Sequence, residues 1–231
     1  MAWRESAKKR AAIEAAKLVK DGSVLGIGAG STIAYAVREI GKRIREEHIQ
    51  VLAVPSSNQT MHLAKECGVP LTTLNEYQSL DLDIDGADQI DKDLNVIKGM
   101  GGALTKEKIV ASASKVFIII ADETKLTDVL GKNQPLPVEV LPFALPLVLI
   151  KIKKLGGQPN LKISKDGSGP FVTDNGNYIL NVDFGIIKNP SQLDVTLKTI
   201  HGVIETGLFL GIADMAIIGT KTGIKIFRKN K

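Results

Sequence analysis

Residues 81–88 read Asp81-Leu82-Asp83-Ile84-Asp85-Gly86-Ala87-Asp88. Aspartates alternate with apolar residues over 81–84, which predicts a short strand with one solvated and one buried side. The strand would end at Asp85, beside a glycine. Because ligands of open α/β sheets bind past the carboxyl ends of the strands, Asp85 and Asp88 are candidate site residues.

Two further motifs follow: Lys98-Gly99-Met100-Gly101-Gly102, and Thr105-Lys106-Glu107-Lys108 at the start of a predicted helix. Carboxylates that share a cleft have their pKa values pushed apart, so that one can donate and another accept a proton, while a lysine can stabilise an oxyanion. Glycines let a ligand approach the backbone. An isolated Asp-Gly-x-Asp is more often a solvated acidic turn, but the glycines and Glu107 favour a catalytic site here.

A second glycine turn lies near the start of the chain, where a predicted strand, Ser23 to Ile27, runs into Gly28-Ala29-Gly30-Ser31-Thr32 and then into a helix. Backbone N–H groups and the helix dipole make such a turn a phosphate site. A dinucleotide site would have glycine in place of Ser31 and an acid after the next strand, which instead ends in Pro55-Ser56-Ser57. No Walker motif fits. The alternative that Ser31 merely caps the helix stays open at this point.

Composition narrows the function classes. The 231 residues carry a net charge of +5, only 4% aromatic residues and one cysteine, Cys67. Basic and acidic residues are interspersed, so we expect no nucleic-acid partner. No apolar run is long enough for a membrane span and no signal peptide is recognisable, so we expect a cytoplasmic protein. His48, His62 and His201 are scattered, and we expect neither a metal nor a cofactor.

The element pattern predicts an α/β fold: a mostly parallel Rossmann-like sheet with helices on both faces, and an inserted smaller α+β ferredoxin-like lid domain. The apolar run Val116–Ala121 is typical of a central parallel strand. Beyond residue 131 the order becomes that of a split β-α-β unit. We therefore predict a catalytic domain of residues 1–130 plus 208–231 and a lid domain of residues 131–207. A short strand is also predicted at 71–74, and the strand Ala213–Gly219 should return to the first sheet.

These motifs are followed along the chain by Val172-Thr173-Asp174-Asn175-Gly176-Asn177. With this set of motifs in this order, the chain closely resembles ribose-5-phosphate isomerase of the A type. The resemblance covers nearly the whole length. It implies a cofactor-free aldose-ketose isomerisation between D-ribose 5-phosphate and D-ribulose 5-phosphate through an enediolate, in the non-oxidative pentose phosphate pathway. Glu107 would be the base that moves a proton between C2 and C1, Asp85 and Asp88 would handle ring opening and proton traffic on O1 and O2, and Lys98 would stabilise the oxyanion.

The resemblance also implies a set of substrate-binding residues: Lys8, Ala29, Gly30, Ser31, Thr32, Asp85, Gly86, Ala87, Asp88, Lys98, Gly99, Met100, Gly101 and Lys125. Two positions depart from the family pattern. Ala29 stands where relatives often carry threonine, which removes a hydroxyl contact. Met100 replaces a glycine, and a Cβ there restricts φ and narrows the pocket unless the side chain points away.

The resemblance further implies a homodimer or homotetramer. Phe143, Leu145, Leu147, Val148 and Leu149 are candidate interface residues, although they could equally form the core of the lid. Two other functions are compatible with the residues: a sugar-phosphate deaminase or acyl-transfer enzyme of the same fold, and a non-catalytic sugar-phosphate sensor.

Overall fold

The computed structural model describes residues 2–229. The helices, in chain order, are α1 (Ala2–Ala16), α2 (Ser31–Glu47), α3 (Asn58–Glu66), α4 (Leu104–Ser112), α5 (Leu145–Lys154) and α6 (Pro190–Lys198). The strands are β1 (Val24–Ile27), β2 (Leu52–Pro55), β3 (Leu82–Gly86), β4 (Gln89–Ile90), β5 (Val96–Ile97), β6 (Phe117–Asp122), β7 (Leu136–Val140), β8 (Gln158–Leu161), β9 (Tyr178–Asp183), β10 (Val203–Thr206), β11 (Leu208–Phe209), β12 (Met215–Gly219) and β13 (Ile224–Arg228).

The described chain forms two compact units. The first unit contains residues 2–87, 106–125 and 212–229, and the second contains residues 88–105 and 126–211. The domain boundaries predicted at residues 130/131 and 207/208 stay a prediction. The predicted catalytic domain also includes Met1, Asn230 and Lys231, which lie outside the described residues.

A six-stranded sheet in the order β13-β12-β6-β3-β1-β2 forms the centre of the first unit. All neighbouring strands are parallel except the edge pair β12–β13. The predicted central strand is β6, between β3 and β12, and the predicted return of the chain to this sheet is β12. Both predictions are confirmed. They succeeded because strands that are buried on both faces read as continuous apolar runs.

Helices cover both faces of this sheet. On one face, a core of small residues from α1 and α2 packs against β-branched and leucine residues of the strands, among them Ala12, Ala36, Ile27, Ile84 and Ile217. On the other face, Val110 of α4 packs with Val54 and Leu80.

The prediction that β3 has one solvated side is wrong. Asp83 and Asp85 are both fully buried, and the apolar residues Leu82 and Ile84 of the same strand are buried as well. The reason lies in the neighbouring strand: Gly26 of β1 pairs with Asp83, and a Cβ on Gly26 would lie 2.8 Å from Asp83 Oδ1. The missing glycine side chain leaves room for a carboxylate inside the unit.

The second unit contains a four-stranded antiparallel sheet in the order β10-β7-β9-β8, with α5 and α6 packed against it. The sequence order β-α-β-β-α-β and this strand order are those of a ferredoxin-like fold. A smaller antiparallel sheet, β11-β5-β4, belongs to the same unit. The predicted fold class, a mostly parallel α/β sheet with a smaller α+β insertion, is confirmed.

The remaining differences from the sequence predictions concern short elements. Residues 71–74 form no strand; Leu71 makes only an isolated bridge to Ala53. The two-residue strands β4, β5 and β11 are too short to show a periodicity, and the edge strand β13 is exposed at every position, so no apolar run marks it as a buried strand. Within residues 2–229, no helix is long and apolar enough to cross a membrane.

Among the five candidate interface residues, two are exposed: Phe143 at 93% and Leu147 at 45%. Val148 is fully buried and belongs to the core of the second unit, and Leu145 and Leu149 are half-buried against that core. The alternative that these apolar residues form the core therefore holds for Val148 and in part for Leu145 and Leu149. It does not hold for Phe143 or Leu147.

Candidate active site

The first unit gathers polar residues at one edge of its sheet. Parallel strands β1, β3 and β6 end at Ile27, Gly86 and Asp122. The glycine turn follows β1, Asp85 lies near the end of β3, and the segment Glu123–Lys125 follows β6. The chain passes from β1 outwards to β2 and then returns to β3 on the other side of β1. Such a reversal of strand order opens a crevice at the carboxyl ends, where α/β proteins bind ligands.

Gly28 and Asp85 are in close contact at this edge. A Cβ on Gly28 would lie only 1.8 Å from Asp85 Oδ1, so that any larger residue would displace the carboxylate. The same oxygen accepts hydrogen bonds from the N–H of Ala29, at 3.2 Å, and of Gly86, at 2.6 Å. These contacts link the end of β3 to the glycine turn and hold the Asp85 carboxylate in a defined orientation.

The glycine turn leads directly into α2. Its N-cap is Gly30, with a φ of 105°, and no side chain caps the helix. The alternative that Ser31 is only a helix cap is therefore wrong: Ser31 is the first helical residue, and its hydroxyl accepts a hydrogen bond from Lys8 Nζ at 3.3 Å. The next residue of the helix, Thr32, is half-buried. The first N–H groups of a helix have no intrahelical partner, so the turn presents amides, hydroxyls and an ammonium group together.

Lys8 is oriented by a short hydrogen-bond chain. Its ammonium donates to Glu5 Oε1 at 2.8 Å, and the Tyr35 hydroxyl donates to Glu5 Oε2 at 2.9 Å. The hydrogen bond from Lys8, more than that from Tyr35, holds the pKa of the Glu5 carboxyl below its usual value. Glu5 and Tyr35 were not predicted from the sequence, because residues from α1 and α2 meet only in the folded chain.

Three more candidates of the first unit lie on separate elements. Glu107 is in the first turn of α4 and only 5% exposed. Lys125 is half-buried in a single 3-10 turn, Glu123–Lys125, directly after β6. Ala87 is half-buried and follows the end of β3. The helix dipole favours a carboxylate in the first turn of a helix, so this position suits an acceptor of protons.

The second unit contains the other candidates, in the turn Gly99–Gly102. Gly99 and Gly102 have φ values of 106° and 88°, and the Gly102 N–H donates to the Gly99 carbonyl at 2.9 Å. Within residues 2–229, Met100 is not one of the non-glycine residues with positive φ, so its Cβ adds no left-handed strain. Gly101, which is exposed, has open space around its Cα.

Asp88 and Lys98 flank this turn. Asp88 Oδ2 accepts the Met100 N–H at 2.9 Å, and the Asp88 N–H donates to the Ile97 carbonyl at 2.9 Å. Lys98 is only 3% exposed; its N–H donates to the Gly207 carbonyl at 2.9 Å and its Nζ lies 5.5 Å from the centre of the Phe209 ring. A buried ammonium group is less hydrated than one on the surface, so its electrostatic effect on a nearby oxygen is larger.

Two residues of the second unit were missed by the sequence analysis. Glu139 is fully buried in β7, and its carboxylate accepts hydrogen bonds from Thr105, Thr173, Asn175 and Asn177. Lys162 donates to the Met100 carbonyl. The quoted motif at residues 172–177 hinted at Glu139, since several hydrogen-bonding side chains in one turn require an acceptor. Lys162 had no sequence signal. Within the described part of the chain, no cluster of three or more His, Cys, Asp or Glu could hold a metal ion.

Comparison with known proteins gives a consistent result. Residues 52–223 match the family model for ribose 5-phosphate isomerase A (phosphoriboisomerase A). The chain is 48% identical to the ribose-5-phosphate isomerase A of Methanothermobacter thermautotrophicus over 221 residues, which is 96% of this chain and 97% of that protein. The ribose 5-phosphate isomerase A structure from Methanocaldococcus jannaschii is 42% identical with a TM-score of 0.94, covering 97% of this chain and 99% of that one.

A second solved structure, of a D-ribose-5-phosphate isomerase in complex with phospho-erythronic acid, is 39% identical with a TM-score of 0.95 and covers 97% of this chain and 99% of that one. The resemblance that the sequence motifs indicate is thus confirmed, and the deaminase, acyl-transfer and sensor alternatives are not supported. The chain belongs to the ribose-5-phosphate isomerase A family.

Proposed function

We propose that this isomerase interconverts D-ribose 5-phosphate and D-ribulose 5-phosphate through an enediolate, as a step of the non-oxidative pentose phosphate pathway. The observation that carries the proposal is membership of the family, at 48% identity over 96% of the chain. The reaction moves one proton from C2 to C1 and one from the oxygen on C2 to the oxygen on C1, so substrate and product have the same composition. It requires a base, an electrophile and a proton shuttle.

Glu107 is the proposed base for the carbon-bound proton. Its burial supports this role, because a carboxylate removed from water interacts more strongly with a bound substrate. Lys98, also buried, is the proposed electrophile that stabilises the negative charge on the enediolate oxygen. Asp85 and Asp88 are proposed to open the sugar ring and to carry protons between O1 and O2.

The 5-phosphate is the proposed ligand of the turn at the start of α2. Support comes from the Ser31 hydroxyl, the Lys8 ammonium beside it and the amides of Gly30 to Thr32, whereas the Ala29 N–H already donates to Asp85 Oδ1. Lys125 is proposed to add positive charge to this site. The remaining contacts to the sugar are proposed for residues 85–88 and 98–101. The N–H groups of Lys98 and Met100 already donate hydrogen bonds to Gly207 and Asp88. The amides of Gly99 and Gly101 are therefore the better candidates for contacts to the sugar in the second segment.

Incubation with ribose 5-phosphate in deuterium oxide tests this function. Proton NMR should show ribulose 5-phosphate forming, with deuterium entering at C1 whenever the proton on the base exchanges with solvent before it is returned. Ribose without the phosphate is the control and should react far more slowly. Absence of ketose formation by a folded protein at micromolar concentration would refute the proposal.

Three further proposals concern the protein as a whole. Residues 131–207 are proposed to form the lid domain inserted into a catalytic domain of residues 1–130 plus 208–231. The protein is proposed to be a cytoplasmic homodimer or homotetramer. Exposed Phe143 and Leu147 support self-association, because large apolar side chains are costly to leave in water. Light scattering of the wild type and of Phe143→Ser tests it: a wild-type monomer contradicts association, and an unchanged mass in the variant contradicts the role of Phe143.

A further inference from the structure

Lys162 lies directly after β8 and is half-buried in the second unit. Its ammonium nitrogen is 2.5 Å from the carbonyl oxygen of Met100 and 4.0 Å from the centre of the Phe171 ring. A distance of 4.0 Å is within the range of a cation–π interaction, which is strongest when the cation has lost part of its water. The ammonium group is therefore held between an aromatic ring and a carbonyl of the glycine turn.

Met100 is consequently fixed at both of its backbone polar groups. Its carbonyl oxygen accepts from Lys162 and its N–H donates to Asp88 Oδ2 at 2.9 Å. Rotation of the peptide group on either side of Met100 would break one of these two hydrogen bonds. Asp88, Met100 and Lys162 thus form a continuous chain of contacts through a single residue of the turn.

Phe171 supports the other end of the turn. A Cβ on Gly102 would lie 2.3 Å from Phe171 Cε1, so the ring packs directly against this glycine. The Phe171 N–H also donates to the Lys162 carbonyl at 2.8 Å, which fixes the two residues relative to each other. The segment that carries Lys162 and Phe171 therefore contacts the turn at both Met100 and Gly102.

The charges around Lys162 act in opposite directions. Burial lowers the pKa of the Lys162 ammonium below its usual value, the neighbouring Asp88 carboxylate raises it, and Lys165 in the following loop lowers it; the net shift is downward. Lys162 therefore loses its proton at a lower pH than a surface lysine does. The electrostatic attraction between Lys162 and Asp88 is lost in the same step.

We propose that Lys162 is a positioning residue for the isomerase reaction: it holds the turn Gly99–Gly102 so that Asp88 and the amides of Gly99 and Gly101 keep the orientation that turnover needs. The inference rests on the proposed function, since it assigns Asp88 and the turn to the substrate. Lys162 itself is not placed on the reacting atoms.

Three variants test this role. Lys162→Met keeps the length and the apolar contact with Phe171 but removes the ammonium, and we expect kcat/KM for ribose 5-phosphate to fall by about ten-fold or more, as is usual when a charged hydrogen-bond partner is lost. Lys162→Arg keeps the charge and should recover most of that loss. Lys165→Met removes a nearby charge of the same sign without touching the turn, and its kcat/KM should stay within about two-fold of the wild type.

The pH profile separates positioning from simple stabilisation. In the wild type, kcat/KM should fall as pH rises through the lowered pKa of Lys162, because the ammonium loses its proton. Arginine stays protonated throughout this range, so the fall should move to higher pH in Lys162→Arg. Lys8 and Lys98 are present in both proteins, so they do not account for a difference between the two profiles.

A Lys162→Met enzyme with kcat/KM within two-fold of the wild type would overturn the proposal, as would an equal loss in Lys165→Met. If Lys162→Met does not fold, the comparison of wild type with Lys162→Arg decides: coincident alkaline profiles overturn the proposal, and a shifted one supports it. A wild type that does not isomerise ribose 5-phosphate would instead refute the proposed function, so the two failures are distinguishable.

Discussion

Thr105 and Glu139 are joined by a hydrogen bond of 2.5 Å from the threonine hydroxyl to Oε2 of the carboxylate. Thr105 is in the first turn of α4, two residues before Glu107, whereas Glu139 is in β7. The other oxygen, Oε1, accepts hydrogen bonds from Thr173, Asn175 and Asn177 at 2.9 to 3.0 Å. One buried carboxylate thus fixes both the hairpin turn at residues 172–177 and the start of the helix that carries the proposed base.

Removal of the Thr105 hydroxyl should affect both stability and turnover. Thr105→Val is nearly isosteric but leaves Glu139 Oε2 without this donor, which should lower the free energy of unfolding by about 1–3 kcal/mol. We expect kcat to fall by several-fold at unchanged KM, because a shift of the helix start misaligns a base at short range. Denaturant titration and steady-state kinetics measure the two effects, and Thr105→Ser should restore both.

Thr173→Val is the matched control for this prediction. It removes a hydroxyl donor from the same carboxylate but on the side of the hairpin turn, at 2.9 Å. Because the Thr173 hydroxyl also accepts the N–H groups of Asn175 and Asn177, stability should fall by at least as much as in Thr105→Val, while kcat stays near that of the wild type. Equal losses of kcat in the two variants would show that Glu139 acts only through global stability.

Glu107→Gln tests the base directly. The amide keeps the shape of the buried side chain but cannot accept the carbon-bound proton, so kcat should fall by about 10²-fold to 10⁴-fold with little change in KM or melting temperature. Exchange of the C2 proton of ribose 5-phosphate with deuterium should fall in parallel. Near-normal exchange in a folded variant would exclude Glu107 as the base and leave Asp85 or Asp88 as candidates.

Lys8→Met tests the phosphate site at the start of α2. The variant removes the ammonium group that contacts Ser31, and KM for ribose 5-phosphate should rise by about ten-fold with a smaller change in kcat. Lys9→Met is the control, because Lys9 is exposed on the same helix and should leave KM unchanged. A change in KM that is the same in both variants would point to net charge rather than to a specific contact.

Asp81 provides a pH-dependent stability test. Hydrogen bonds from Lys115, at 2.8 Å, and from the Val24 N–H, at 3.0 Å, lower the pKa of the Asp81 carboxyl, the lysine having the larger effect. The stabilisation is therefore fully present above the unfolded-state pKa, near 3.9, and is lost as pH falls through the lower folded-state value. Because the pair is partly exposed, Asp81→Asn should cost less than about 1 kcal/mol at pH 7. A difference between wild type and variant that stays constant from pH 7 to pH 3 would contradict this assignment.

Prediction from the sequence was most successful where one element could be judged alone. The apolar runs of β6 and β12 and the two glycine turns each carry their signal within a few consecutive residues. It failed for β3, where the alternation of aspartates with apolar residues suggested a solvated face. Burial there depends on a glycine of the neighbouring strand, and strand neighbours are not visible along the sequence.

The motifs along the chain are enough to identify the family and the fold class, because several long motifs occur in register and their combination is highly specific. Only the tertiary structure showed how Glu5 orients Lys8, how Glu139 joins Thr105 to a distant hairpin turn, and how Lys162 fixes Met100. The physical reason is that hydrogen bonds act over about 3 Å in space, whatever the separation along the chain. A single glutamate within an apolar strand, or a single lysine that follows a strand, is not part of any local sequence pattern. Its hydrogen-bond partners depend on how the elements of the unit pack together.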